Sequence, residues 1–231
     1  MEKQSVLTVP AFERLPWLVH GFGTRRWTLA DFKKSRELAG FSVVLLKQVH
    51  SDKLVFVARR PRTRPRADAL ATRRAGLLLA VKTADCLPVL LADDEKRVVA
   101  AVHCGWRGTQ RRILERVVAG LRKRYGCRPA ALRAALGPCI GASCYGVGVD
   151  VREGFAAAGL PLDVFRARPG APGKFDLDLR EANRRQLLDA GLSPRRIADI
   201  AVCTHCDPDL LSFRRDRDKT ARLYNFIGIK K

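Results

Sequence analysis

Short apolar runs rich in β-branched residues recur along most of this 231-residue chain, and they limit its fold more than any other feature. Each run is too short for a typical globular helix. Glycine, proline or aspartate stands near many of the ends, as in β-strands. The sequence therefore predicts strands over residues 43–49, 54–58, 77–81, 89–92, 98–102, 132–136, 197–203 and 223–229.

Three longer segments are predicted as helices. The first begins with Thr109 as its N-cap and runs to about residue 125, where Gly126 ends it. The others cover 150–158, capped by Asp150, and 179–190, ended by Gly191. Many strands with few helices favour a mixed α/β (α+β) fold, and there are too few helical crossovers for a doubly wound sheet. We expect one domain over 1–231.

No feature of the sequence indicates export or membrane insertion. Residues 1–20 mix charges and prolines with short apolar stretches, unlike a secretory signal. No uninterrupted apolar stretch approaches the roughly 18 residues of a membrane span. The seven cysteines, an odd number, argue against a secreted disulfide framework. We expect a cytoplasmic protein without a membrane partner.

The formal net charge of +21 comes from 44 lysines and arginines against 23 acidic residues. Such a field attracts phosphates, nucleotides and nucleic acid. The basic residues form no stripe and have no interleaved aromatics, so we interpret most of them as solvated surface and do not expect a nucleic-acid partner. The arginine- and proline-rich stretch at 59–66 is predicted to be an exposed connection.

Two histidines and a cysteine are the strongest candidates for chemistry. His50, Cys86 and His103 each stand at or near the end of a predicted strand. Imidazole and thiolate ligands suit zinc, and three of them leave a fourth position open for catalysis. Their spacing is not by itself a ligand pattern, and each could instead be a satisfied core residue.

Polar residues beside these three add further candidates. Asp85 could accept the second N–H of a ligating imidazole, accept a substrate proton, or cap a turn. Strand alternation places Gln48 on the same face as His50. The segment 103–109 leads into a predicted helix and could bind an anion at the helix N-terminus, with Arg107 as a clamp. It could equally be a tight turn with Trp106 as a core plug.

The remaining motifs are weaker. Residues 137–148 are glycine-rich but match no nucleotide-binding fingerprint. Cys203 and Cys206 form a C-x-x-C, which suggests a redox pair or half of a zinc ribbon; without a second C-x-x-C a ribbon is not favoured. Arg215, in an arginine pair, could bind an anion or a carboxylate. Arg25 ends a small basic turn that begins at His20.

Taken together and in order, these segments resemble one family, the YfiH-like or laccase-domain proteins, also called multicopper polyphenol oxidases. The resemblance covers about residues 20–222. It rests on Gln-Val-His at 48–50, Thr-Ala-Asp-Cys-Leu-Pro at 83–88, Val-His-Cys-Gly-Trp-Arg-Gly-Thr at 102–109, Gly-Pro-Cys-Ile-Gly at 137–141, Cys-Tyr at 144–145, Cys-Thr at 203–204 and Ser-Phe-Arg-Arg-Asp at 212–216.

The resemblance implies a YfiH-like single domain with β-sheets sandwiched between helical layers. It implies zinc held by His50, Cys86 and His103. It also implies phosphorolysis of adenosine, inosine, guanosine and methylthioadenosine, together with adenosine deamination. The chain departs from the family pattern at Cys104, at Cys139 and at Ala221, where members usually have alanine, serine and glycine.

These activities suggest roles for the candidate residues. Zinc could activate a water for attack on C6 of adenine, or hold phosphate against C1′ together with an arginine. The catalytic candidates are Cys86, His50, His103, Asp85 and Arg107. The candidates for binding substrate or phosphate are Arg25, Gln48, Arg107 and Arg215, of which Arg107 is favoured.

Three other functions compete with this interpretation. Copper oxidase chemistry is less favoured, because the only methionine is Met1 and only His20 and His205 remain for a second cluster. A hydrolase editing peptidoglycan precursors could use either the zinc or Cys86 as a nucleophile with a histidine base. A basic RNA-binding domain would bind in a salt-dependent way without turnover. The preferred purine and the oligomeric state are open.

Overall fold

The fold is that of a computed structural model, which describes residues 5–231. The strands are β1 (Val6–Leu7), β2 (Leu18–Gly23), β3 (Ser42–Leu45), β4 (Leu54–Phe56), β5 (Ala69–Thr72), β6 (Leu77–Thr83), β7 (Leu87–Asp93), β8 (Val98–Cys104), β9 (Leu132–Leu136), β10 (Gly146–Gly148), β11 (Phe165–Ala167), β12 (Lys174–Leu177), β13 (Ile197–Asp199) and β14 (Leu223–Ile229). The helices are α1 (Pro10–Glu13), α2 (Asp31–Lys34), α3 (Trp106–Gln110), α4 (Ile113–Tyr125), α5 (Val149–Ala157), α6 (Leu179–Asp189) and α7 (Phe213–Asp216).

Two mixed sheets form the centre of the molecule. The five-stranded sheet has the order β1-β2-β14-β6-β3, and the six-stranded sheet has the order β13-β9-β7-β8-β5-β4. Every residue of β7 and β8 is buried, since both strands lie inside the larger sheet and their sequences are almost wholly apolar. A third, three-stranded sheet joins β10, β12 and β11.

Apolar side chains fill three layers. The first core lies between the six-stranded sheet and helices α4, α5 and α6, and Val117, Phe155 and Leu187 are fully buried in it. The second fills the space between the two main sheets. A smaller third cluster, around Phe32 and Phe226, covers the outer face of the five-stranded sheet. The predicted mixed α/β architecture, with sheets between helical layers, is confirmed.

The prediction of where the first helix begins was wrong. The chain forms two helices, α3 and α4, separated by Arg112 in the left-handed region at φ 58°. Thr109 lies inside α3 rather than at a cap, and its hydroxyl donates to the carbonyl oxygen of Gly105 at 3.1 Å. Gly126 does end α4, in the left-handed conformation at φ 68°.

Other predicted boundaries shift for local reasons. Gly148, not Asp150, precedes α5 as its N-cap. Asp178 caps α6 by accepting the backbone N–H of Glu181 at 2.8 Å, and Gly191 follows that helix at φ 94°. The strand predicted over 197–203 ends at Asp199. The strand predicted over 43–49 ends at Leu45, because the following residues turn toward the candidate site.

The stretch at 59–66 contains no helix or strand and is mostly exposed, as predicted. Within residues 5–231, no helix combines the length and the apolar character that crossing a membrane requires.

Candidate active site

Three metal-binding side chains converge where the two main sheets meet. His50 lies between β3 and β4, Cys86 lies where the chain passes from β6 to β7, and His103 lies near the end of β8. The antiparallel pairing of β7 with β8 puts Pro88 opposite His103, which brings Cys86 to the same end of the sheet. The donor atoms of the three residues all lie within 4.8 Å of one another.

Asp68, which the sequence analysis missed, joins two of these residues. Its Oδ1 lies 2.8 Å from His103 Nδ1 and also accepts the backbone N–H of His50 at 3.1 Å. Its Oδ2 accepts the backbone N–H and the hydroxyl of Ser51, at 2.6 and 2.7 Å. Because Nδ1 of His103 is hydrogen-bonded to the Asp68 carboxylate, Nε2 is the ring nitrogen that faces His50 and Cys86.

Burial and neighbouring charge act on both imidazoles. Burial alone would lower the pKa of His103, but the adjacent Cys86 and Asp68 outweigh it and raise that pKa to about 9. Burial, and then the charge of His103, lowers the pKa of His50. Without a metal, a proton on His103 is therefore favoured, and a bound cation would replace that proton.

Two residues at the site have a left-handed backbone. His50 has φ 56° and Asp85 has φ 89°, a conformation that costs non-glycine residues energy and concentrates at functional sites. The N–H groups of Val49, His50 and Ser51 all donate to Asp68, which holds the turn at His50 in place.

The space at Gly105 indicates whether a metal could fit beside the three donor atoms. A Cβ at this position would lie 2.9 Å from His50 Nδ1 and 3.1 Å from Cys86 Sγ. The space beside the donors is thus kept clear by the lack of a side chain. Two imidazoles and a thiolate, one imidazole supported by a buried carboxylate, match the ligand chemistry of zinc.

The donors line a cleft with a volume of about 1140 Å³. Trp106, Tyr145 and Phe213 contribute aromatic surface to it. Its cationic side chains are Lys47, Arg64, Lys82, Arg214, Arg217 and Arg222. Asp85 is the only carboxylate among its lining residues. The cleft is therefore positively charged and partly aromatic.

The hydrogen bonds of Asp85 go to other groups than the imidazoles of the site. Its Oδ1 accepts the hydroxyl of Thr204 at 2.7 Å, and its Oδ2 accepts the backbone N–H of Arg214 at 2.7 Å. Asp68, rather than Asp85, is hydrogen-bonded to the imidazole of His103. Asp85 still lines the cleft, at the turn immediately before Cys86, so its alternative role in proton transfer stays a prediction.

Arg215 and Arg25 do not contribute to the lining of this cleft. Nη1 of Arg215 donates to the carbonyl oxygens of Thr204, His205 and Asp207, each at 3.0 Å, which makes it a support for the 204–207 loop. Arg25 lines a smaller neighbouring pocket beside Asp216. These hydrogen bonds favour a structural role for Arg215, and its predicted role in binding stays a prediction.

Gln48 is a lining residue of the cleft, whereas Arg107 is not. The side-chain amide of Gln48 bonds to both backbone groups of Lys82, at 2.8 Å each, so it ties the turn before His50 to β6. Arg107 is exposed and its guanidinium carbon lies 4.2 Å from the centre of the Trp106 ring. Trp106 is half-buried, packing against the first core while lining the cleft.

The other histidines do not form a second centre. His20 is buried, and its Nε2 accepts the backbone N–H of Val9 at 3.0 Å. Within residues 5–231, the two groups of at least three donors that could hold a metal are the site above and Cys144, Cys203 and Cys206. Met1, the single methionine, lies outside the described residues.

Close packing explains one glycine of the segment 137–148, whose Tyr145 lines the cleft. A Cβ at Gly137 would lie 2.2 Å from the ring of Phe22, so this glycine allows the segment to pack against β2. Asp68, by contrast, left no signal in the sequence, because its partners are far away along the chain and it begins an ordinary short apolar run.

Comparison with known proteins identifies several relatives. Purine nucleoside phosphorylase YlmD of Bacillus subtilis is 32% identical over 218 residues, which are 87% of this chain and 78% of that protein. Adenosine deaminase RL5, from an unknown prokaryotic organism, is 41% identical over 140 residues, 61% of this chain. The matched region spans about half of RL5, 53% of its length.

The fold has a solved counterpart. The crystal structure of the hypothetical protein YfiH of Bacillus licheniformis superposes with a TM-score of 0.89 at 29% identity, covering 99% of this chain and 98% of that one. The family described as multi-copper polyphenol oxidoreductase laccase matches residues 28–230. The resemblance to YfiH-like proteins is thereby confirmed, and the chain belongs to the multi-copper polyphenol oxidoreductase laccase family.

Proposed function

We propose that this protein is a metal-dependent purine nucleoside enzyme, which cleaves adenosine, inosine, guanosine and methylthioadenosine with phosphate and deaminates adenosine. One observation carries the proposal: the His50, Cys86 and His103 donors open into a positively charged, aromatic-lined cleft of about 1140 Å³. Such a cleft has room for a nucleoside together with phosphate. The printed names of the relatives, a purine nucleoside phosphorylase and an adenosine deaminase, support the same substrate class.

Zinc is the metal we propose, with His50, Cys86 and His103 as its ligands. When bound, zinc would supply Lewis-acid chemistry, polarising an oxygen of water or phosphate. Copper is less favoured, because among residues 5–231 no methionine is available as the weak axial ligand of a blue-copper centre.

The chain's own residues would then bind and orient the substrate. Trp106 and Tyr145 offer flat surfaces on which a purine could stack. Burial, and then the charges of Arg64 and Arg222, lowers the pKa of Lys82, and the charge of Arg222 also contributes to the lowered pKa of His50. Two crowded cations beside the donors favour an anion such as phosphate. Arg222 and Lys82 thus join Arg107, Arg25 and Arg215 as phosphate candidates, and they are the two of these five that line the cleft.

Chromatography of adenosine incubated with the purified protein tests the proposal. Adenine and ribose 1-phosphate that form only when phosphate is present would establish phosphorolysis, and inosine would establish deamination. Cys86→Ser should abolish both reactions. Cys127→Ser, which alters a buried thiol at the opposite end of the six-stranded sheet, should keep them. Unchanged adenosine with the zinc-loaded wild-type protein would overturn the proposal.

A second candidate, a thiol hydrolase acting on peptidoglycan precursors, is favoured by one geometric relationship. Cys86 lies within hydrogen-bonding reach of His103, and His103 Nδ1 is bonded to Asp68. This order of thiol, imidazole and carboxylate is that of a cysteine nucleophile with an oriented base. A metal chelator separates the two candidates, since it should silence the nucleoside enzyme and leave a thiol hydrolase active.

The proposed location is the cytoplasm. All seven cysteines are free thiols, and a reducing compartment keeps thiols in that state.

A further inference from the structure

A second group of thiols lies outside the proposed catalytic site. Cys144, Cys203 and Cys206 have their sulfur atoms within 4.8 Å of one another, and the Cys144 and Cys206 sulfurs are 3.5 Å apart. Cys206 is exposed and the other two are half-buried, so ions in solution can reach the group. We call these three residues the thiol cluster. Cys144 is the partner that the C-x-x-C motif lacked in the sequence.

The backbone around the thiol cluster is arranged for a negatively charged sulfur. The N–H of Gly141 donates to Cys203 Sγ at 3.1 Å, and the N–H groups of His205 and Cys206 also point to Cys203. Backbone donors directed at one sulfur stabilise the thiolate, which is the form that binds metals.

Arg215 explains why the loop has this shape. Its Nη1 holds the carbonyl oxygens of Thr204 and His205. Because a peptide group is planar and trans, the N–H groups of the next residues, His205 and Cys206, point the opposite way. They therefore point toward Cys203. The arginine that the sequence suggested for anion binding instead positions these two donors.

The thiol cluster also connects two segments that lie beside the proposed catalytic cleft: one contributes Tyr145 to its lining, and the other contacts the lining residue Asp85. Cys144 precedes Tyr145, whose ring lies 5.4 Å from the guanidinium carbon of Arg214. Cys203 precedes Thr204, whose hydroxyl donates to Asp85. Backbone hydrogen bonds of an isolated β-bridge between Cys139 and Cys203 already hold the chain together beside these segments. The thiols are therefore brought together before any metal arrives.

We propose that Cys144, Cys203 and Cys206 form a second metal site, which binds a thiophilic cation such as Zn²⁺ and clamps the 141–145 segment to the 203–207 loop. Three thiolates are a soft donor set that selects such cations over magnesium or calcium. The site would stabilise one wall of the cleft without touching the substrate. The proposal does not depend on the nucleoside activity.

A disulfide between Cys144 and Cys206 is the competing use of the same sulfurs. It would leave Cys203 as a single thiolate with three backbone donors and no further partner. The metal site uses all three sulfurs and the donors around Cys203, and it is therefore the interpretation that accounts for the whole arrangement.

Cobalt binding to the full-length protein tests the proposal, since Co²⁺ bound by thiolates gives an ultraviolet charge-transfer absorption. The titration is made under reducing conditions on metal-free Cys86→Ser, which lacks the thiolate of the first site. We expect about one further equivalent of Co²⁺ with thiolate absorption, displaced by Zn²⁺. Cys86→Ser/Cys206→Ser and Cys86→Ser/Cys144→Ser should lose the absorption, whereas Cys86→Ser/Cys127→Ser should keep it.

A second readout covers the possibility that a variant folds poorly. Zn²⁺ should raise the melting temperature of Cys86→Ser, and this rise should vanish in Cys86→Ser/Cys206→Ser, whose altered side chain is exposed. Absence of the absorption in Cys86→Ser would overturn the proposal. So would its persistence after loss of Cys206 or Cys144. Absence of adenosine turnover in the zinc-loaded wild-type protein, with the absorption intact in Cys86→Ser, would count against the proposed function alone.

Discussion

Asp68 Oδ1 lies 2.8 Å from His103 Nδ1 while the same oxygen accepts the backbone N–H of His50. One buried carboxylate thus sets the ring orientation of one proposed ligand and the backbone position of another. Asp68 is completely buried, and its hydrogen bonds hold its pKa well below the usual range although burial opposes this. It therefore stays ionised across the physiological range.

Replacement of Asp68 by asparagine should weaken metal binding more than it weakens the fold. The amide cannot reproduce the charged acceptor for Nδ1–H, so we expect a loss of zinc affinity of roughly 10- to 100-fold. Competition with a chromogenic chelator measures this. Asp93→Asn is the matched control, because Asp93 is also buried and accepts backbone N–H groups, at the far end of β7. Equal affinities in the two variants would refute the role of Asp68.

Addition of one methyl group at Gly105 should exclude the metal. The alanine Cβ would lie 2.9 Å from His50 Nδ1 and 3.1 Å from Cys86 Sγ. Both distances are too short, so the donor atoms would have to move apart. We expect Gly105→Ala to contain little zinc by elemental analysis while keeping its circular dichroism spectrum. Gly108→Ala makes the same change one helical turn away, against the backbone oxygen of Ser51, and should retain zinc.

Phosphate binding should depend on the cations that line the cleft. Loss of one charged hydrogen bond costs about 1.5–3 kcal/mol. Arg222→Gln and Lys82→Met should therefore each raise the KM for phosphate by roughly tenfold or more. Arg25→Gln, in the neighbouring pocket, should leave that KM unchanged. An increase with Arg25→Gln but not with Arg222→Gln would place phosphate in the smaller pocket.

His20 should make the fold sensitive to acid. Burial lowers its pKa from 6.5 to about 4, against a smaller opposing effect of Glu13. As the pH falls from about 6.5 to about 4, the unfolded chain binds a proton that the folded chain does not. Stability is lost over that range, by roughly 3 kcal/mol in all.

Urea unfolding of metal-free wild type and His20→Gln across that pH range checks this expectation. Glutamine can accept the N–H of Val9 but does not titrate. We expect the variant to lose less free energy of unfolding than wild type between pH 6.5 and 4. Parallel curves would show that His20 contributes nothing to the acid sensitivity.

The sequence predicted the central strands well because burial on both faces leaves long apolar runs. Strand β14 matches its prediction residue for residue, and β7 and β8 extend theirs by one or two residues at their ends. Short strands such as β5 and β10 were not predicted, because they carry too few residues for a pattern. The division between α3 and α4 depends on the left-handed Arg112, which no periodicity reveals. The single domain stays a prediction.

The sequence predicted the donor residues of the candidate site, but it did not predict the residues that hold those donors in place. His50, Cys86 and His103 stand in motifs with unusual side chains, so their residue types alone suggested a metal. The role of Asp68 depends on contacts with residues 17 to 35 positions away. The support that Arg215 gives to the 204–207 loop depends on how that loop folds. Sequence spacing could not show that Cys144 joins Cys203 and Cys206.

Two of the three proposed ligands stand where the chain leaves one main sheet for the other: His50 between β3 and β4, and Cys86 between β6 and β7. In the unfolded chain long loops separate the donors, so their effective concentration for one another is low. On the proposed zinc assignment, the three donors would come together only when the two sheets stack. Metal loading would then be the last step of maturation, and the fold would not wait for it.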